Sequence, residues 1–202
     1  MSRERILARI RAANRKRDRV EHPGGFESWR ALDAGSAQGD HPGAARERFA
    51  AMFGAAGGEV VRVPGVSQAA AWLRDFGAAF DSVAVGSTVD PALVPDLPRH
   101  APRRADFGLS RARCAIAETG SLVLDARDGR RAQLLPPVHV VVLDATAVHA
   151  TARDAFAALR DDLPSALGLH SGPSKSADIG QVMVKGVHGP GRLVALVVDG
   201  RA

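Results

Sequence analysis

The 202-residue chain has a single cysteine, Cys114, no tyrosine, and no apolar run near the ~20 residues that cross a bilayer. One cysteine excludes an internal disulfide and an iron–sulfur cluster held by this chain alone. The first twenty residues also lack the apolar stretch of a secretory signal peptide. These absences predict a cytoplasmic protein without a membrane span and without a redox cluster of its own.

The charge of the chain is concentrated at its start. The formal net charge is +5, yet residues 1–20 alone carry eight basic side chains against Glu4 and Asp18. The rest of the chain is therefore nearly neutral. We interpret residues 1–20 as a basic helix, either solvated or in contact with nucleic acid, an anionic membrane or an acidic partner, with an Arg-rich transit peptide as a further alternative. The neutral body makes nucleic acid an unlikely partner for the whole protein.

Residues 21–43 are rich in glycine and proline and lack periodicity, which predicts a flexible linker. From residue 44 to residue 202, predicted helices alternate with predicted strands, which indicates one α/β domain with a mostly parallel sheet. The predicted elements are a helix over 44–56, a strand over Glu59–Val63, a helix from a Ser67 cap to Phe80, a strand over Ser82–Val85, apolar segments over Cys114–Ala117 and Ser121–Leu124, a strand over Val138–Leu143, a helix capped by Thr151 with Asp154, and a strand over Leu193–Val198.

The segment 172–178 combines glycine, hydroxyl, basic and acidic groups. It does not match the phosphate-binding pattern Gly-x-x-x-x-Gly-Lys-[Ser/Thr]. We predict that Gly172 starts a loop in which Ser174 or Ser176 caps a short helix whose free N–H groups hold an anion beside Lys175, with Asp178 fixing the loop. An ordinary capped turn is the alternative.

Glu118-Thr119-Gly120 lies between two apolar segments. A carboxylate there is either an acid, base or nucleophile or a structural group in a turn, with Thr119 and Gly120 forming the turn that presents it. Glu118 is the best candidate for a catalytic carboxylate in the chain.

His188 and Gly189 lie in a glycine-rich loop, where a histidine can act as a base or as a donor to a bound anion, or simply bond a loop carbonyl. Gly86-Ser87-Thr88 follows a predicted strand, and ligands gather at the carboxyl ends of parallel strands. The histidines lack the spacing of a metal site, so we predict no metal.

Three ordered stretches resemble the lactate utilization protein C family, the LutC-type members of the LUD domain group. They are Ala115–Leu124, Leu134–Val141, and Ser171–Ile179 followed by Gly186–Pro190. The resemblance implies the fold shared by ribose-5-phosphate isomerase, glucosamine-6-phosphate deaminase and CoA transferases. It also implies a role in oxidising L-lactate to pyruvate beside iron–sulfur partner proteins. Members of the family commonly carry a glutamate where this chain has Gly180, so chemistry that needs that carboxylate is in doubt here.

Three hypotheses follow. The chain is a subunit of a lactate-oxidising system that supplies a site for a small anionic metabolite, while iron–sulfur subunits carry electrons. Alternatively, it is an independent enzyme acting on a CoA thioester or sugar phosphate. Glu118 would then be the nucleophile or base, and Lys175 and His188 would bind the anion. Glu118–Leu122 is similar to the segment that carries the catalytic glutamate of CoA transferases, which is an analogy at the level of the fold. Finally, the basic arm is a nucleic-acid-binding or regulatory module.

Overall fold

The computed structural model describes residues 3–15, 42–177 and 183–199. The chain forms two compact units, residues 1–38 and residues 39–202. In the first unit, α1 spans Arg3–Arg15, within the helix predicted over residues 1–20, and its Ile6 and Ile10 are exposed. The predicted linker lies outside the described residues up to residue 41.

The second unit alternates strands with helices, which confirms the predicted α/β fold with a mostly parallel sheet. Among the described residues, no helix has the length and apolar character needed to cross a membrane. The helices are α2 (Pro42–Ala55), α3 (Val66–Gly77), α4 (Arg130–Leu134) and α5 (Ala152–Leu159); the strands are β1 (Glu59–Val63), β2 (Val83–Val85), β3 (Phe107–Ile116), β4 (Ser121–Asp125), β5 (Val138–Asp144), β6 (Val148–His149), β7 (Leu167–His170), β8 (Lys175–Ala177), β9 (Met183–Lys185) and β10 (Arg192–Val198).

One large sheet has the order β1-β10-β5-β3-β4-β7, with β2 and β6 also paired to β3. Strands β1, β10, β5 and β2 run parallel to their neighbours, whereas β4 is antiparallel to both β3 and β7. The long strand β3 pairs with β5 over residues 107–111 and with β4 from Ala112 to Ile116, and the second pairing contains a register shift between Ala112 and Cys114. Strands β8 and β9 form a separate antiparallel hairpin.

Both faces of the parallel sheet are covered, as the continuous apolar runs of β5 and β10 predict. Phe49 and Phe53 of α2 pack on one face, and Leu73 of α3 packs on the other. The prediction of a Ser67 cap was wrong: Gly65 precedes the first helical residue of α3 and makes no side-chain capping bond, and the helix ends at Gly77. The cap at Thr151 is confirmed, since its hydroxyl accepts a hydrogen bond from the backbone N–H of Asp154.

His139 is the exception among the large side chains of the core. It is fully buried in β5, where its Nε2 lies 3.0 Å from the hydroxyl of Ser110 on β3. Burial, with a smaller contribution from nearby His170, lowers the pKa of His139 to about 3. The imidazole is therefore neutral in the folded protein at neutral pH.

This burial predicts a pH-dependent stability. As the pH falls below ~6.5, His139 takes up a proton in the unfolded chain. In the folded chain it stays neutral until the pH approaches its lowered pKa of about 3. Stability is therefore lost on acidification, by up to ~1.4 kcal/mol per pH unit for this residue. We expect His139→Gln to flatten the dependence of the unfolding free energy on pH between pH ~6.5 and ~4.5, where carboxylates still remain ionised.

Urea denaturation across that window measures the slope. His139→Gln is compared with the same substitution at His100, which is exposed and controls for the loss of one imidazole. Equal slopes in the wild-type protein and His139→Gln would contradict the assignment of a buried, neutral histidine.

Candidate functional site

The segment after β7 and the loop before β10 together enclose a cavity of about 250 Å³, here called the loop pocket. It combines apolar walls with two imidazoles and two serine hydroxyls. Its lining residues are Leu134, Leu169, His170, Ser171, Gly172, Pro173, Ser174, His188, Gly189, Pro190 and Leu193.

Ser174 joins the two loops. Its backbone N–H donates to the carbonyl of Pro190 at 2.8 Å, and its own carbonyl accepts from the N–H of Gly186 at 3.0 Å. Its hydroxyl also accepts from the backbone N–H of His188 at 3.4 Å. The predicted residues Ser174, His188 and Gly189, though distant in sequence, therefore share one cavity.

The predicted helix start in this segment was wrong. Lys175 and Ser176 belong to strand β8, whose partner is β9, so the described residues 172–177 form no helix N-terminus that could hold an anion. Ser176 pairs with Val184 in that hairpin and does not line the loop pocket. Asp178 and Gly180 lie outside the described residues.

The side chain of Lys175 is directed to α2. Its ammonium donates a hydrogen bond to the carbonyl of Ala56, just beyond the end of that helix. Gly172 approaches the same carbonyl: it has a φ of +98°, and a Cβ there would lie 2.8 Å from the Ala56 oxygen. Gly172 therefore lets the loop pass close to α2, and Lys175 does not line the loop pocket.

A chain of hydroxyls leads from the turn after β3 to the loop pocket. Thr119 Oγ1 lies 2.6 Å from Ser121 Oγ, which in turn lies 2.6 Å from Ser171 Oγ. Sequence reasoning missed Ser121, Ser171 and His170, because only the pairing of β4 with β7 brings them to this place. The sequence singles out the stretch from Ser171 to Ile179, but it does not indicate which residue bonds the Ser171 hydroxyl.

Glu118 has a structural partner outside the loop pocket. Its carboxylate accepts a hydrogen bond from the backbone N–H of Ala152 at 2.7 Å, at the first turn of α5. Thr119 is exposed, whereas Gly120, with a φ of +60°, packs so closely on α2 that a Cβ would lie 2.4 Å from the Phe53 nitrogen. Glu118 therefore does not line the same cavity as His188, as the hypothesis of an independent enzyme that uses both residues requires.

Gly86-Ser87-Thr88 also lies elsewhere, around the buried carboxylate of Asp128. Asp128 accepts from the backbone N–H of Thr88 at 2.8 Å, from its hydroxyl at 3.0 Å and from the N–H of Arg111 at 3.2 Å. A Cβ on Gly86 would lie 2.2 Å from an oxygen of Asp128. The hydroxyl of Ser87 donates to the carbonyl of Arg127 at 2.8 Å.

Thr88 lines a second cavity of about 300 Å³ near the carboxyl ends of β2 and β5 and beside the middle of β3, together with Arg111, Arg113 and Asp144. The guanidinium of Arg113 already pairs with Asp162 at 2.8 Å and with Asp125 at 3.4 Å. Its positive charge is thus balanced within the protein. The predicted position of Gly86-Ser87-Thr88 at strand ends is confirmed, but these residues do not adjoin the loop pocket.

The loop pocket itself has little formal charge. Burial lowers the pKa of His170, so that this imidazole is neutral at neutral pH. The pocket thus offers hydroxyls and imidazoles beside leucine side chains, which suits a small molecule with both an apolar and a polar end.

Neither metal nor thiol chemistry has a candidate among the described residues. No group of three or more His, Cys, Asp and Glu side chains in this part of the chain is arranged to hold a metal ion. Cys114 is buried in the core, and burial raises the pKa of its thiol to about 11.

The contact between Glu118 and α5 predicts a difference between two substitutions. Glu118→Ala removes the acceptor for the Ala152 N–H and should lower the free energy of unfolding by ~0.5–2 kcal/mol, as loss of other helix N-terminal acceptors does. Glu118→Gln keeps an amide oxygen in that place and should stay close to the wild-type value. Urea denaturation measures both variants, and equal stabilities for the alanine and wild-type proteins would rule out the capping role.

Comparison with known proteins identifies a LUD domain over residues 98–198. The chain is 41% identical over 102 residues to lactate utilization protein C of Deinococcus radiodurans, which covers 47% of each chain. It is 37% identical over 98 residues to an uncharacterized protein of Neisseria meningitidis serogroup B, covering 46% of this chain and 42% of the relative. The matched region thus spans somewhat less than half the length of these relatives.

The crystal structure of a DUF162 family protein from Deinococcus radiodurans has the same fold. It superimposes with a TM-score of 0.60 over 79% of this chain and 99% of its own, at 23% sequence identity. The LUD domain match covers half of the chain, and all residues that line the loop pocket fall within it. The chain therefore belongs to the LUD domain family.

Proposed function

We propose that this chain is a subunit of a lactate-utilization system that supports oxidation of L-lactate to pyruvate, and that its loop pocket binds the small carboxylate. The proposal rests on the position of the loop pocket within the LUD domain segment. The LUD domain segment, over which several relatives are named lactate utilization protein C, includes every residue that lines the pocket.

The composition of the loop pocket supports a small monocarboxylate. Its volume of about 250 Å³ is below the ~300–1,000 Å³ of sites for drug-sized ligands. Leu169 and Leu193 offer an apolar surface for a methyl group. The hydroxyl of Ser174 and the imidazoles of His170 and His188 offer hydrogen bonds for a carboxylate and for the oxygen on the neighbouring carbon.

We further propose that another protein accepts the electrons of the reaction. Oxidation of lactate to pyruvate removes a pair of electrons and two protons, and the only cysteine of this chain is buried and protonated at neutral pH. We assign electron transfer to iron–sulfur partner proteins. The residues of this chain then bind and orient the substrate.

The alternative of an independent enzyme based on Glu118 has less support, because its carboxylate bonds the Ala152 amide outside the loop pocket. If Glu118 were a general base, Glu118→Gln would lower the rate about 100-fold or more. Under the proposal made here, that substitution leaves lactate oxidation by the assembled system unchanged.

Ligand binding tests the proposal directly. In a thermal-unfolding screen, L-lactate or pyruvate at 100 times its dissociation constant should stabilise the protein by ~2.7 kcal/mol. Ser174→Ala and His188→Ala should weaken this effect, because both residues line the pocket. Lys175→Met should keep it, because the ammonium contacts Ala56 instead.

Two outcomes would contradict the proposal. One is stabilisation by CoA or ribose 5-phosphate but not by lactate or pyruvate, which would favour an independent enzyme. The other is normal growth on L-lactate after deletion of the gene, with unchanged lactate oxidation in extracts.

A further inference from the structure

Exposed apolar side chains are concentrated on the segments that form the loop pocket or extend from it. Among the described residues, eleven large apolar side chains are exposed, and six of them belong to these segments. The six, here called the rim patch, are Leu134, Leu135, Leu169, Met183, Val184 and Val187. Exposed apolar side chains that gather at one place on a protein commonly mark a surface that binds a partner.

The rim patch adjoins the opening of the loop pocket. Two of its members, Leu134 and Leu169, line the pocket themselves. Val187 directly precedes His188, which is also a lining residue. The two members on β9 belong to the hairpin that leaves the pocket at Ser174, the residue that joins its two loops. A partner that covers the rim patch therefore also covers the pocket.

The border of the rim patch is basic. Residues 130–135, 167–177 and 183–192, which carry the patch, include no aspartate or glutamate. Their basic residues are Arg130, Arg131, Lys175, Lys185 and Arg192. Arg192 pairs with Glu59 at 2.8 Å, but Arg130, Arg131 and Lys185 are exposed beside the apolar side chains.

One of these basic residues lies close to the loop pocket. Arg130 lines a cavity of about 110 Å³ that shares the side chains of Leu134 and His170 with the loop pocket. A partner that complements this surface presents apolar side chains bordered by carboxylates. A second copy of this chain is a poor partner, because it would bring two basic borders together.

The chemistry of the proposed reaction indicates which protein covers this surface. Oxidation of L-lactate to pyruvate breaks the C2–H bond and the O–H bond of the hydroxyl. Two electrons pass to the acceptor of the iron–sulfur partner, and two protons pass to solvent. The acceptor must approach a ligand in the loop pocket, whose outer lining residues Leu134 and Leu169 are 42% and 52% exposed.

We propose that the rim patch is the docking surface for the iron–sulfur partner of this chain, and that the partner closes the loop pocket with an apolar surface bordered by carboxylates. The inference rests on the proposed function, since it takes the loop pocket as the place where the substrate is held. Redox proteins commonly meet through small interfaces, below ~1,200 Å² in total, which a patch of this kind suits.

Leu135 separates docking from ligand binding, because it belongs to the rim patch but does not line the loop pocket. Purified chain is added in increasing amounts to extracts of a strain that lacks its gene, and the conversion of L-lactate to pyruvate is measured. Leu135→Glu should raise the concentration that gives half-maximal conversion about tenfold or more, as loss of a central interface contact does. Its affinity for sodium pyruvate in isothermal titration should stay close to the wild-type value.

Three further variants serve as controls. Met52→Glu changes an equally exposed apolar residue of α2, outside the rim patch, and should behave as wild type. Leu135→Lys should raise the half-maximal concentration less than Leu135→Glu, because the partner surface is acidic. Arg131→Glu, at an exposed position, should raise it as well and replaces Leu135→Glu if thermal unfolding shows that variant to be misfolded.

The docking surface is wrong if the folded Leu135 and Arg131 variants need no more protein than wild type, if Met52→Glu needs as much more as they do, or if Leu135→Lys is the weaker of the two Leu135 variants. In these cases wild-type chain still restores lactate oxidation and binds pyruvate, so the proposed function stands. If extracts without the gene oxidise L-lactate normally, or if wild-type chain binds neither pyruvate nor L-lactate, the proposed function itself is wrong.

Discussion

Strand β4 cannot pair with the first residues of β3, because β2 and β5 occupy both edges of β3 at residues 107–109. The pairing of β3 with β4 begins at Ala112 and contains a register shift between Ala112 and Cys114. The antiparallel strands β4 and β7 can form only beyond that point. The end of β7 then brings Ser171 to Ser121, and the segment that follows builds the loop pocket. The position of the pocket thus depends on how β3 divides its hydrogen bonds.

Two buried polar side chains near this strand differ in how fully they are bonded. Asp128 is 3% exposed and accepts three hydrogen bonds, from Thr88 and from the backbone of Arg111, so it fastens the end of β2 to β3. His139 is equally buried, but among the described residues it has a protein partner at only one nitrogen. Because an unpaired buried group is costly, full bonding at Asp128 is consistent with a structural role.

The features that could be predicted from the sequence have local causes. The apolar runs of β5 and β10 and the capping box at Thr151 each lie within a few residues, and the structure contains all three. The features that could not be predicted depend on contacts between residues that are distant in sequence. The carboxylate of Glu118 accepts a hydrogen bond from the backbone N–H of Ala152, which is distant in sequence. Lys175 is part of a strand because it pairs with Lys185. Within the site, the grouping of Ser174 with His188 followed from the motif, whereas His170 required the pairing of β4 with β7.

The position of Lys175 bears on which anions the loop pocket can hold. The carbonyl of Ala56 follows the last turn of α2, where carbonyl groups lack helical partners and the helix dipole favours a cation. An ammonium placed there stabilises the end of α2, and the described residues that line the pocket include no lysine. A phosphate dianion in such a pocket would lose its hydration without gaining a fixed counter-charge. A monocarboxylate needs less compensation, and neutral donors from imidazole, hydroxyl and backbone groups can supply it. Under the proposed function, the contact between Lys175 and α2 therefore favours a monocarboxylate over a phosphate as the ligand of the loop pocket.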